Sequence, residues 1–278
     1  MKKMMDKNVS DIGIDSSLPD IGLGSSALIN DPNQLRHESN MALVSGRGRI
    51  GKTGLLRGVA SLALLAGRSI RLCDFDRSNA SMSKYYPESK VLQTASQLPM
   101  EKKIEEVMMD FLEGNQGYGL DIGGNDKTFE KFLSEGDISK LLDRHDKYIT
   151  WLQVFSTDEE DVSYFRTAYD ALSSHQRIRW VICLSYASAP DGDEVGRFAP
   201  IREHPFINQV LDAGGEMFGI PKLAIHAEVV RLRLRYEDAI ANKPGSEGLR
   251  IGEWSATRVE AWLDRLRTSV EPFKGWLP

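Results

Sequence analysis

Cysteine is scarce: Cys73 and Cys183 are the two among 278 residues, each inside an apolar run. They form no CxxC pair and no Cys/His cluster, so zinc and iron–sulfur centres find no support. Both are expected to be buried structural thiols of a chain kept in the reducing cytoplasm. Long apolar stretches are missing too. The longest, around Val59–Ala66, falls far short of the roughly 20 residues a bilayer span needs. Lys2 and Lys3 are followed by no apolar run, so a secretory signal is not expected. Cations are in deficit, 35 Lys and Arg against 40 Asp and Glu, which gives a net charge of −5. That argues against wholesale coating of nucleic acid but leaves room for a local basic patch. No internal repeat is visible.

What is present reads as one α/β domain behind a tail. Residues 1–38 are rich in Ser, Asp, Asn, Gly and Pro, with apolar residues scattered without period, and are expected to be flexible. The single domain is expected over 39–278. Its buried-strand patterns are Met41–Ser45, Ser69–Cys73, Tyr118–Ile122, Ile149–Phe155, Ile178–Leu184 and Glu216–Ile220. Helical patterns fall at Gly54–Ala66, which Gly67 stops, and at Lys102–Leu112, Asp158–Ser173, Val229–Ala241 and Ala256–Thr268. Strands alternating with helices imply a parallel β-sheet flanked by helices on both faces.

The strongest motif is Gly46-Arg47-Gly48-Arg49-Ile50-Gly51-Lys52-Thr53, which fits G-x-x-x-x-G-K-[ST] at every fixed position between a strand and a helix. Gly46, Gly48 and Gly51 let backbone N–H groups close round phosphates, and Gly54 continues the run into the helix. Lys52 supplies a point charge to the β- and γ-phosphates, and the Thr53 hydroxyl is placed to ligate Mg²⁺. The positive end of the helix points at the anion. Arg47 is a second cation beside the phosphates, where charge develops during transfer. Arg49 is expected to face solvent.

Carboxylates follow two of the strands. In Leu72-Cys73-Asp74-Phe75-Asp76, alternation puts both aspartates on one side, at the strand end where open α/β sheets bind ligands. An aspartate there orients an attacking water or holds the metal shell. In Leu120-Asp121-Ile122-Gly123-Gly124, Asp121 resembles a Walker B aspartate, and Gly123 and Gly124 permit close backbone approach to the γ-phosphate.

The loop, the segment Cys73-Asp74-Phe75-Asp76-Arg77-Ser78-Asn79-Ala80-Ser81, and Leu120–Gly124 come in the order found in the ParA/MinD family of deviant-Walker-A ATPases. Phe218-Gly219-Ile220-Pro221 is similar to that family's isoleucine–proline loop near the base. The resemblance runs from about Met41 to about Ala241. It implies a P-loop NTPase of the ParA/MinD type that binds ATP and Mg²⁺ and forms a homodimer on ATP. It also implies slow, partner-stimulated hydrolysis that positions plasmid DNA or a conjugative transfer complex, with a partition or transfer-complex protein as partner. By carry-over, Lys52 and Thr53 bind phosphate and Mg²⁺, Asp76 orients water and supports the metal, Asp121 supports the metal, and Gly123 and Pro221 line the nucleotide. The family's signature lysine falls at Arg47, a departure that leaves a cation with a different shape. Arg49 stands where the family has glycine, and Leu184-Ser185-Tyr186 stands where relatives carry a base-reading asparagine.

Arg231, Arg233 and Arg235 offer either a DNA-phosphate patch or a solvated face. They are assigned to a helix, although their alternation with Val230, Leu232 and Leu234 also suits a strand. Val259, Trp262, Leu263 and Leu266 make an apolar stripe whose helix carries acidic residues and no dense basic face, so it is expected to pack on the domain and not on a membrane. Two other functions remain open on sequence alone: a metabolic P-loop kinase or ATP-dependent synthetase, and a nucleotide-binding module with little hydrolysis.

Overall fold

The computed structural model describes residues 40–76, 81–91, 100–124, 127–136 and 138–278. The expected tail over 1–38 lies outside them. Seven strands form one sheet: β1 (Met41–Ser45), β2 (Ile70–Phe75), β3 (Lys90–Val91), β4 (Gly117–Ile122), β5 (Ile149–Phe155), β6 (Ile178–Ser185) and β7 (Glu216–Ile220). Their spatial order is β3-β2-β4-β1-β5-β6-β7, and every pairing is parallel. β1, β4 and β5 are buried along their whole length, as inner strands of a parallel sheet covered on both faces are.

Alternation along each strand divides the core. Met41 and Leu43 point into one layer with Leu120 and Trp151. That layer is closed by α2 (Met100–Glu113), α3 (Thr128–Glu135), α4 (Ile138–Arg144), α5 (Glu160–Leu172), α7 (Ala199–Arg202) and α8 (Pro205–Asp212). A further short helix, α6 (Glu194–Arg197), precedes α7. Ala42 and Val44 point the other way, into a layer closed by α1 (Lys52–Leu65), α9 (His226–Arg231), α10 (Tyr236–Ile240) and α11 (Glu253–Val270). The apolar stripe Val259, Trp262, Leu263 and Leu266 is buried there, so the α11 face is spent on the domain. No helix among the described residues is long and apolar enough to cross a membrane. Both cysteines are free and buried.

Three expectations need correction. The two-residue edge strand β3 was not visible in the sequence, being too short to show a period. Strand β2 runs two residues beyond the expected Cys73, so Asp74 is a strand residue and Asp76 follows its end. The segment Val229–Ala241 is neither one helix nor a strand. It breaks between α9 and α10, where Arg233 adopts φ 51° and its neighbours Leu232 and Leu234 turn inward. The break persists because its carbonyls are taken: Leu234 O accepts from Arg57 Nη2 at 2.7 Å and Leu232 O accepts from Ser246 N at 2.8 Å. Arg57 itself is 1% exposed, its guanidinium 3.5 Å from the Tyr85 ring centroid and 4.5 Å from that of Tyr236.

Candidate functional site

Strand order makes β1 the central strand, with the chain turning to β2 on one side and β5 on the other, so the crevice at its carboxyl end is a topological switch point. The glycine-rich loop fills it. Gly46 has φ 141°, and a Cβ there would stand 2.7 Å from the Val154 carbonyl oxygen and 2.8 Å from the Ile50 side chain, so only glycine fits. Gly51, at φ 100°, turns the chain into α1. Gly48 and Arg49 are exposed at the tip, Arg49 at φ 64°.

Lys52 opens α1 and is 7% exposed, and its Nζ donates to the Arg47 carbonyl at 2.9 Å. The loop thus wraps its own lysine. Burial pulls the Lys52 pKa down, while the negative fields of Asp121, Asp76 and Asp161 push it back up. Thr53 Oγ1 donates to Asp121 Oδ2 at 2.6 Å and lies 3.0 Å from Ser81 Oγ. Asp121 is 1% exposed, and its Oδ1 has no hydrogen-bond partner. Burial pushes its carboxyl up to about 7, with Asp74 and Asp76 adding to the rise and Thr53 and Lys52 opposing it.

Asp74 in β2 and Asp76 just past its end sit in different surroundings. Asp74 Oδ2 accepts from Met82 N at 2.9 Å and Oδ1 from Asp76 N at 3.1 Å, so it shapes the turn after the strand. Asp76, half-buried, is left near Lys52 and Asp121, within reach of both by its charge. Residues 77–80 of the expected motif lie outside the described residues.

A hard divalent cation suits this donor set. The Thr53 hydroxyl and the Asp121 carboxylate are oxygen ligands side by side, and the orphaned Oδ1 is a buried acceptor that a cation shell would satisfy. Among the described residues no group of three or more His, Cys, Asp or Glu could hold a metal unaided. An ion of the Mg²⁺ kind is held by one or two protein oxygens together with phosphates.

Other expected residues close round the loop. Gly123 is buried just past β4, and a Cβ on Gly124 would lie 2.6 Å from Gly48 N, so this backbone abuts the loop itself. On α1, Gly54 faces Tyr236 and His226, whose Oη and Cε1 would stand 3.8 and 3.9 Å from a Cβ there. Pro221 follows β7, and its carbonyl accepts from Trp262 Nε1 at 2.7 Å. Ser185 faces the loop, with its Oγ 3.3 Å from where a Gly51 Cβ would sit. Tyr186 turns away, its ring against Gly219 and its hydroxyl accepting from Arg202 at 2.8 Å.

Arg47 has partners that the sequence did not reveal. Its guanidinium lies 2.5 Å from Asp158, 3.1 Å from Glu160 and 3.6 Å from Asp161. Hydrogen bonding to Asp158 raises its pKa further. Burial raises the pKa of Asp161 against two hydrogen bonds from Ser156. These carboxylates read in the sequence as a favourable helix start; the further signal was their position just after a strand of the same sheet. Arg235 leaves the expected basic patch: its Nη2 donates to both Glu88 oxygens at 2.6 and 2.7 Å and its Nε to the Tyr85 carbonyl.

The central parallel strand, the left-handed glycines and the buried Lys52 beside Thr53 and Asp121 settle the architecture. This is a P-loop NTPase fold. No protein-family model and no curated protein matches the sequence. Among solved structures, it is similar to the MinD cell division protein of Aquifex aeolicus, at 16% identity and TM-score 0.48, over 83% of this chain and 97% of that one. The MinC:MinD cell division complex of the same organism gives 14% identity and TM-score 0.47, over 83% and 96%. A nucleotide-binding protein in complex with ADP from Archaeoglobus fulgidus gives 14% and 0.47, over 70% and 86%.

Proposed function

We propose that the protein is an ATPase of the ParA/MinD kind, which dimerises on ATP and hydrolyses it slowly to position plasmid DNA or a conjugative transfer complex. The observation that carries this reading is the convergence of Lys52, Thr53, Asp76 and Asp121 on one loop, in the chain order of that family. Lys52 offsets negative charge on the β- and γ-phosphates. Thr53, with Asp121 behind it, would hold Mg²⁺, which would neutralise phosphate charge. Asp76, at the open end of β2, accepts a hydrogen bond from the attacking water and aims it. Gly123, Gly124 and Pro221 shape the walls.

Arg47 takes the signature position. Its carboxylate partners hold it within its own chain, and ATP-driven pairing transfers it to the partner subunit's nucleotide. Arg231 and Arg233 remain as cations for DNA phosphates, without Arg235.

The test is the oligomeric mass of the purified protein with ADP and with ATP plus Mg²⁺. A dimer with ATP alone, lost in Arg47→Ala, supports the reading; a mass indifferent to nucleotide removes it. One observation favours a second reading. A polar cavity of about 290 Å³ beside the loop, lined by Arg47, Gly48, Ile50, Ser156, Asp158 and Asp161, offers a metabolic kinase or synthetase a place for a small polar substrate. ATP turnover that requires such a substrate and is indifferent to DNA would select it.

A further inference from the structure

The second end of α1 borders a site of a different character. α1 and α11 touch closely at Gly58, where a Cβ would come within 2.5 Å of Leu266 Cδ2 and 3.1 Å of Trp262. Past that crossing an opening lies between Val59 and Leu62 of α1 and Arg267 and Val270 of α11, bordered by the 3-10 turn Glu271–Trp276 and residues 277–278. The result is a cavity of about 400 Å³, within the ~300–1,000 Å³ range of small-molecule sites.

Its lining has two chemistries. Val59, Val270 and Leu277, each no more than 5% exposed, form an apolar floor with half-buried Leu62. The rim carries Arg68, Arg267 and Lys274, with Glu271 as the acidic side chain among the lining residues. Arg267 is bonded to Asp264, Lys274 to Glu271 at 2.5 Å, and Arg68 to the Leu277 carbonyl at 3.5 Å. The first two are ion pairs between side chains more than half exposed, of the kind that holds its partners weakly. A carboxylate arriving at the rim can therefore take over their cations.

We propose that this cavity binds a single-chain amphiphile with an anionic head, its aliphatic chain on the Val59–Leu62–Val270–Leu277 floor and its carboxylate at Arg68, Arg267 and Lys274. Apolar burial supplies the affinity and the rim fixes the orientation. The site lies at the far end of the helix that begins with Lys52, about 20 Å away along its axis. It is independent of the nucleotide reading.

The experiment is calorimetric titration of the full chain with dodecanoate below its micellar concentration, with dodecylamine as the cationic control. Saturable one-to-one binding of dodecanoate, with dodecylamine at least tenfold weaker, is expected. Leu62→Trp fills the floor and should abolish the binding, and Arg68→Glu should weaken it at least tenfold. A cooperative urea-unfolding transition like the parent's reports that each variant is folded, and Ala66→Phe, at the exposed mouth, replaces Leu62→Trp if that chain does not fold. No saturable dodecanoate binding, equal binding of the amine, or undiminished binding in the folded cavity variant overturns the proposal.

Discussion

Asp74 and Asp121 occupy directly paired positions on β2 and β4, each 1% exposed, and both side chains point into the layer that holds α1. Two neighbouring carboxylates taken out of water raise each other's cost of ionisation. Asp74 is compensated by two backbone N–H groups, whereas Asp121 has the Thr53 hydroxyl and one bare oxygen. The less satisfied member is the one placed at Thr53, where a cation would relieve it.

That asymmetry sets a pH dependence. The Asp121 carboxyl titrates at about 7 in the fold, above its ordinary value of 3.8. Between those values the folded chain keeps a proton that the unfolded chain has lost, so this group's stabilising contribution is full below the lower value and lost as pH rises through the upper one. Without nucleotide or Mg²⁺, Asp121→Asn should be more stable than the parent, by a gap that widens by at most about 1.4 kcal/mol per pH unit up to pH 7 and then levels. Denaturant titrations of both proteins from pH 5 to 8 check this. The same variant should lose Mg²⁺-dependent turnover.

Lys52→Ala removes the cation round which the loop is wrapped. Nucleotide affinity should fall by on the order of 100-fold, about 2.7 kcal/mol, in a fluorescent-ATP titration. Asp76→Ala should keep binding, stop turnover and trap an ATP-bound dimer. A fully active Asp76→Ala protein would falsify the role given to that carboxylate.

Gly124→Ala tests the contact between the β4 loop and the phosphate loop. The added methyl meets backbone atoms of Gly48 and Arg47, which cannot swing aside as a side chain can. ATP affinity should drop about tenfold or more while thermal stability changes little, because the collision lies at the exposed tip and not in the core. Equal affinity in parent and variant would mean that the loop yields freely.

Gly58→Val tests the α1–α11 crossing. Overpacking against Leu266 and Trp262 should cost ~1–3 kcal/mol of stability, read by urea unfolding. Nucleotide affinity in the fraction that remains folded should stay near the parent value.

Much of this architecture was legible because its signals were local. An apolar run into Gly46, a turn at Gly51 and a helix stop at Gly67 read directly as strand, loop and helix. Lys52 and Thr53 could be placed at a helix start, and Asp76 and Asp121 at strand ends, from the chain order alone. Contacts made across the fold were not legible. Nothing in the sequence ties Arg47 to Asp158, some 110 residues away, or Arg57 to the carbonyl of Leu234. The broken helix at Arg233 was missed for the same reason: alternating arginine and leucine suits helix, strand or turn, and the choice was made by partners on α1 and in the loop at Ser246. The short helices between Glu194 and Asp212 carry too few turns to show a period.

One stretch of chain joins features that otherwise look separate. Ser81 lies beside Thr53, Met82 bonds Asp74, Tyr85 stacks on Arg57, and Glu88 grips Arg235 at the start of α10. Residues 81–88 thus touch the Thr53 hydroxyl at one end and, through Arg235, the turn that displays Arg231 and Arg233 at the other. The glycine-rich loop and the turn that displays Arg231 and Arg233 therefore lean on one short span of chain as a common buttress.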